Sequence, residues 1–358
     1  MRAGHVRWLL MIAAAVCLAV ASCGRAARPA GSLQVKPCTV DHVAAKCGTL
    51  LVPENRLTGK GRTIPVRFVV FPATGSHRAP DPVVYFAGGP GGSAVSAISS
   101  ELPDLQSLNV DRDLVFIEQR GTGKSSPLTC PPFPSGTAAL RASVTSCLTH
   151  LPGDPRYYTT AMYADDVSQI LSDLHYAKVN LMGISYGTAV EQVFLLRHPG
   201  RVRTITMQSG SPLDVHVIER AAGNSQRALD YVVARCERQP GCHRAFPHLA
   251  ADWARLWSSV GKSPWVVPAA QSPTHTTVRI GQDGLANALY QAMYGYEEDL
   301  VPIAIHTLAT ARNKAAALTA VISAGQAAPS SGGPNLMMPY TITCDEAWAS
   351  DRPAALAS

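Results

Sequence analysis

At 358 residues, 46% hydrophobic and 16% charged, the chain holds enough apolar material for one large core or a core with an inserted lobe, which excludes a disordered protein. Its net charge of +6 comes from scattered Lys and Arg with no run of five, so nucleic acid is excluded as a partner. No Cys/His group has the paired spacing of a zinc site, and neither a metal nor another cofactor is expected.

In chain order, Arg2 and Arg7 precede an apolar run from Trp8 to Val20, followed by the small residues Ala21 and Ser22. That is the layout of a secretory signal, and the run is short for a membrane span. Val20-Ala21-Ser22-Cys23 also resembles a bacterial lipobox, which implies cleavage before Cys23, a diacylglycerol on its sulfur and a membrane-anchored N-terminus; ordinary signal cleavage nearby is the alternative. Residues 1–22 are therefore read as signal and 23–35, rich in Ala, Gly, Arg and Pro without periodicity, as a lipidated tether. Cysteine usage agrees with export, because disulfides persist in oxidising compartments. Cys38 with Cys47, Cys130 with Cys147, and Cys236 with Cys242 are the candidate local bridges, although spacing does not fix connectivity, and Cys344 is left without a partner.

From Thr63 the pattern turns to short β-rich apolar runs: Ile64 to Phe71, Pro82 to Phe86, Asp113 to Ile117, Val179 to Met182 and Val202 to Met207. Helical patterns at Ala164 to Tyr176 and Thr188 to Arg197 lie between them, so residues 36–211 predict an α/β core with a mostly parallel, doubly covered sheet. Residues 212–339 change to long amphipathic patterns, Val217 to Cys236, Ala245 to Val260, Gly284 to Tyr294 and Leu300 to Ser323, and predict a helical cap that ends in a Gly-, Pro- and Ser-rich connection. Residues 340–358 open with a strand-like run, Tyr340 to Cys344, read as the incomplete start of a C-terminal segment of the core.

The chemistry concentrates where apolar runs end. Val179 to Met182 leads into Gly183-Ile184-Ser185-Tyr186-Gly187 and then a helix, the pattern of a nucleophile elbow. Ser185 is the candidate nucleophile and the Tyr186 N–H a natural donor to an oxyanion, with glycines at 183 and 187 where a side chain would meet neighbouring backbone. Val83 to Phe86 leads into Ala87-Gly88-Gly89-Pro90-Gly91-Gly92-Ser93, whose bare backbone makes Gly88 or Gly89 the candidate second donor. Phe116 to Ser125 ends like a phosphate-binding loop, yet position 118 is Glu where a Walker motif needs Gly, so a nucleotide site is excluded.

The Gly-Gly-Pro-Gly loop, Gln119-Arg120-Gly121-Thr122-Gly123-Lys124-Ser125 and Gly183-Ile184-Ser185-Tyr186-Gly187-Thr188, in this order and spacing, resemble the prolyl and tripeptidyl aminopeptidase family of α/β-hydrolases, in its secreted actinobacterial lipoprotein branch. The resemblance covers about residues 36 to 345. It implies an α/β-hydrolase fold and a serine exopeptidase that releases short N-terminal units from peptides, with the Arg120 segment flooring the site and acidic groups in the cap holding the substrate ammonium. Glu297 and Glu298, beside Asp299, form the most acidic cluster of the cap; the alternative is that they stabilise the N-terminus of the helix beginning near Leu300. Small esters are the other substrate class that the resemblance allows, and a silent peptide-binding lipoprotein the other functional class.

One departure stands out. Such a triad reads Ser, then acid, then His, and every histidine after Ser185 (His198, His216, His243, His248, His275, His306) precedes the connection at Ala324. The expectation is that C-terminal strands with the acid and base are missing, and that the 358-residue chain is nearly inert, since losing the base of a serine triad costs about a millionfold in rate.

Overall fold

The computed structural model describes Gly31 and residues 33–131, 137–210, 212–215, 217–269, 277–294, 298–312 and 337–347. The signal, Cys23 and Glu297 lie outside the described residues. The chain divides into two compact units, Met1–Leu213 with Pro334–Asp345, and Asp214–Gly333 with Glu346–Ser358.

Among the described residues the first unit has seven strands: β1 (Leu33–Val40), β2 (Val43–Pro53), β3 (Thr63–Phe71), β4 (Val83–Phe86), β5 (Leu114–Ile117), β6 (Val179–Ile184) and β7 (Val202–Gln208), in the sheet order β1-β2-β3-β5-β4-β6-β7. β5, β4, β6 and β7 run parallel, while β1, β2 and β3 form an antiparallel flank. β4 and β5 are buried at every residue, which is why they read as unbroken apolar runs. Alternation still sorts their side chains between two faces. Val84, Phe86, Val115 and Ile117 join a core with α3 (Thr160–Asp173) and α4 (Tyr186–Arg197), through Tyr163, Val167, Ile170, Val190 and Phe194. Val83, Tyr85, Leu114 and Phe116 face the other way, onto Ile98, Leu102 and Leu105 of α1 (Ile98–Leu105). A further helix, α2 (Thr137–His150), follows β5 in the chain.

Two expectations are corrected in this unit. The tether was expected to run to residue 35, but β1 begins at Leu33 and pairs with β2 from Leu33↔Leu50 to Val40↔Val43. The turn between them places Asp41 and His42 at φ 50° and 63°, the left-handed pair of a tight hairpin, without the Asn-Gly or Asp-Gly that would have announced it. Residues 340–344 were expected as a strand; instead α10 (Met337–Ile342) runs into a π-helical turn, Thr343–Ala347. Met337, Met338, Thr341 and Ile342 are buried at helical spacing, and joining the core outweighs the β-propensity of Thr-Ile-Thr.

The second unit is helical: α5 (Val217–Arg238), α6 (Pro240–Ala245), α7 (Leu249–Lys262), α8 (Gln282–Tyr294) and α9 (Val301–Thr310), with a small hairpin of β8 (Trp265–Val267) and β9 (Val278–Ile280). Leu229, Val232, Leu249, Leu289 and Ile305 form one of its two apolar clusters. The single pattern expected over Ala245 to Val260 is two helices, broken at Phe246-Pro247-His248, where proline cannot continue a helix. All three nominated cysteine pairs are bonded, with Cα–Cα separations of 5.8 Å for Cys38–Cys47, 5.7 Å for Cys130–Cys147 and 5.0 Å for Cys236–Cys242; Cys344 is free and exposed. Among the described residues no helix is long and apolar enough to cross a membrane, and no three metal-binding side chains cluster.

Candidate active site

β6 delivers Ile184 at the edge where parallel strands end, and α4 starts two residues later at Tyr186. Ser185 makes the corner with φ 53° and ψ −120°, a conformation that costs a non-glycine residue about 1–3 kcal/mol. Neighbouring bonds hold it there. Its N–H donates to the Gln208 carbonyl of β7 at 2.8 Å, and its carbonyl accepts from the Thr188 N–H at 3.0 Å and the Thr188 hydroxyl at 2.7 Å. Ser185 occupies the N-cap position of α4, yet its side chain caps nothing, so the half-buried hydroxyl remains available at the positive end of the helix.

The flanking glycines are sterically required. A Cβ on Gly183 would lie 2.6 Å from the backbone of Gly187, and one on Gly187 would run into the Phe86 carbonyl and come 3.1 Å from that of Ala87. The loop after β4 approaches the same corner: a Cβ on Gly88 would sit 3.3 Å from both the Ser185 Cβ and the Ile184 carbonyl oxygen. Gly89 follows at φ 135°, in backbone territory that only glycine adopts without strain. Ser185, Tyr186, Gly88 and Gly89 thus share one edge of the first unit. Glu298 belongs to the second unit, in a short 3-10 turn before α9, where its neighbour Asp299 pairs with Arg235 at 2.9 Å.

Two site neighbours, Thr160 and Glu191, carried no sequence signal of their own, and Gln119 stood in the Gln119-to-Ser125 motif without an assigned role. Gln119 Nε2 donates to the Tyr186 hydroxyl at 3.0 Å, and that hydroxyl lies 2.6 Å from the Thr160 hydroxyl. Glu191, on α4 beneath the elbow, is fully buried; neither carboxylate oxygen has a well-aligned donor, and a Cβ on Gly183 would lie 2.9 Å from one of them. Burial pushes its pKa up to about 8, offset only in part by the backbone of Thr206 and Gly183.

Arg120, Asp165 and Asp166 are structural. Arg120 is fully buried, its guanidinium bonded to Asp166 at 2.6 and 2.7 Å and to the carbonyls of Glu54 and Tyr157. Asp165 holds His198 at 3.0 Å, together with Arg197. His198 is the C-cap of α4, so a 12-residue helix, roughly 18 Å long, separates it from Ser185.

A sequence profile of the α/β hydrolase fold matches residues 81–264, which contain the β4 loop, the corner at Ser185 and α4. The chain belongs to the α/β-hydrolase fold family. Among curated relatives, serine protease Hip1 of Mycobacterium tuberculosis is 27% identical over 223 residues, covering 55% of this chain and 42% of that protein. Tripeptidyl aminopeptidase of Streptomyces coelicolor is 26% identical over 217 residues, covering 53% of this chain and 40% of its own length. The matches therefore span about two-fifths of these relatives. Among solved structures, proline iminopeptidase of Mycobacterium smegmatis aligns with 80% of this chain and 73% of its own, at 14% identity and a TM-score of 0.34.

Proposed function

We propose that this α/β-hydrolase is an exported serine aminopeptidase. Ser185 Oγ attacks the scissile carbonyl to form an acyl-enzyme, and the N–H groups of Tyr186 and of Gly88 or Gly89 receive the oxyanion. The observation that carries this reading is the uncapped Ser185 hydroxyl on a left-handed corner with the Gly88 backbone against it. A preference for peptides over esters rests on the relatives' names, serine protease and tripeptidyl aminopeptidase. Export rests on the three disulfides, together with the expected signal and lipidation at Cys23. Glu297 and Glu298 stay candidate ligands for a substrate ammonium.

His198 is committed to Asp165 at the far end of α4, which leaves it unable to serve Ser185 as a base. That commitment also favours a second reading, a silent peptide binder on the same fold. The test uses a fluorophosphonate probe and tripeptide p-nitroanilides against p-nitrophenyl esters. Labelling that is lost in Ser185→Ala, with tripeptide anilides turned over in preference to esters, is the expected result. Labelling that survives Ser185→Ala would overturn the assignment, and binding of peptides without labelling would favour the silent binder.

A further inference from the structure

β5 lies between β3 and β4, and Glu118 and Gln119 continue it past the edge where β4 and β6 also end. Both side chains are buried, at 2% and 4% exposure, and consecutive residues of an extended chain point to opposite sides. Each therefore reaches a different neighbour. The Glu118 carboxylate accepts the Thr122 hydroxyl at 3.0 Å and meets the Ser93 hydroxyl and the Ala94 amide, which close the glycine loop after β4. Ser93 in turn hydrogen-bonds Ser96 at 2.8 Å, where that loop turns toward α1. A Cβ on Gly123 would fall within 2.9 Å of both carboxylate oxygens, so the turn after Arg120 is closed tightly over this acid. Gln119 instead donates to the Tyr186 hydroxyl, on the residue that follows the nucleophile.

We propose that Glu118 and Gln119 form a two-armed positioning element for the oxyanion site: Glu118 fixes the loop that carries the Gly88 and Gly89 N–H groups, and Gln119 fixes Tyr186 and hence its N–H. The proposal rests on the serine-hydrolase reading and adds what sets the spacing between the two donors. Oxyanion donors act only when held about 2.7–3.1 Å from the developing charge, and a misplacement of about 1 Å can cost a hundredfold. Two adjacent residues of one rigid strand tie both donors to a common backbone. Neither arm touches substrate.

The experiment compares Glu118→Gln, Glu118→Ala, Gln119→Ala, Tyr186→Phe and the Gln119→Ala/Tyr186→Phe double variant with the unaltered chain. Hydrogen–deuterium exchange reads position without any need for catalysis. Gln119→Ala is expected to raise exchange at least fivefold in the segment around 185–188, and Glu118→Ala in the segment around 88–94, each leaving the other segment unchanged. Glu118→Gln, which keeps the volume, serves if Glu118→Ala does not fold. Exchange that is unaltered at both segments, or that rises uniformly through β4 and β6, overturns the proposal. Fluorophosphonate kinetics then read function: the maximal labelling rate is expected to fall tenfold to a hundredfold in Gln119→Ala and Tyr186→Phe with unchanged half-saturation, the double variant being no slower than either. Wild-type rates in the single variants would overturn it. If the unaltered chain and Ser185→Ala are equally unlabelled, the exchange result alone decides the positioning element.

Discussion

Glu191 is a carboxylic acid placed where water cannot reach it, and its protonation state couples the elbow to pH. Folded, it ionises only near pH 8; unfolded, it ionises near the ordinary value of 4.5. Below that value both states hold the proton and burial costs little. Between 4.5 and 8 the unfolded chain gives up its proton first, so stability falls as pH rises, by at most about 1.4 kcal/mol per pH unit, and levels off above the folded pKa. Glu191→Gln removes the titration. Its melting temperature is expected to gain on the unaltered protein steadily from pH 5 to pH 8 and to hold a constant lead beyond; parallel melting curves across that range would show that the buried carboxylate is already ionised. At this scale the sequence exposed Ser185, Gly183 and Gly187 because they form a pattern, and Gln119 as part of a motif without a role of its own, whereas Glu191 and Thr160 are single polar residues whose importance comes only from what the fold places beside them.

At the scale of elements, legibility followed burial. β3 to β7 were readable as apolar runs between turns, and the helices on either side of the elbow as helix-compatible stretches between those runs. The β1–β2 hairpin was not, because β1 is half exposed, mixes Lys and Thr among its apolar residues, and turns through Asp41-His42. α10 was misread for the opposite reason: Tyr340-Thr341-Ile342-Thr343 has strand propensity, and only the burial of Met337 and Met338 beside Ile342 shows the helical face. Met338→Ala tests that face. Met338 is fully buried against the glycine turns, so its truncation is expected to cost about 2–5 kcal/mol in a denaturant melt, while Tyr340→Ala, half exposed on the same helix, should cost far less. Equal effects would argue that the helix is not docked through its methionines.

At the scale of the molecule, the first unit is fastened by charge as well as by apolar packing. Asp166 of α3 accepts from Arg56, which follows β2, at 2.5 Å, and from Arg120, which follows β5. The side chains of Asp166 and Arg120 are wholly buried, so neither charge has water as an alternative partner. Removing one member leaves the other uncompensated, and Asp166→Asn is expected to destabilise the protein by about 3–5 kcal/mol in urea unfolding, with little dependence on salt. A loss below about 1 kcal/mol, or one that vanishes in molar salt, would mean that the cluster is hydrated. Nothing in the periodicity of the sequence revealed this network, because its members come from three distant segments and are joined only by topology.

Met338 and Pro339 return from far along the chain to lie against Gly91, and the Met338 sulfur lies against Gly121. Both turns that frame the Ser185 corner are therefore finished by residues that leave the ribosome only after the helical unit has been synthesised. During translation the nascent chain carries an unfinished corner at Ser185, and contacts of such long sequence separation are among the last to form. Protection of the turns at Gly91 and Gly121 should consequently appear late in a timed synthesis, after the helices of the second unit and in step with the docking of those two residues.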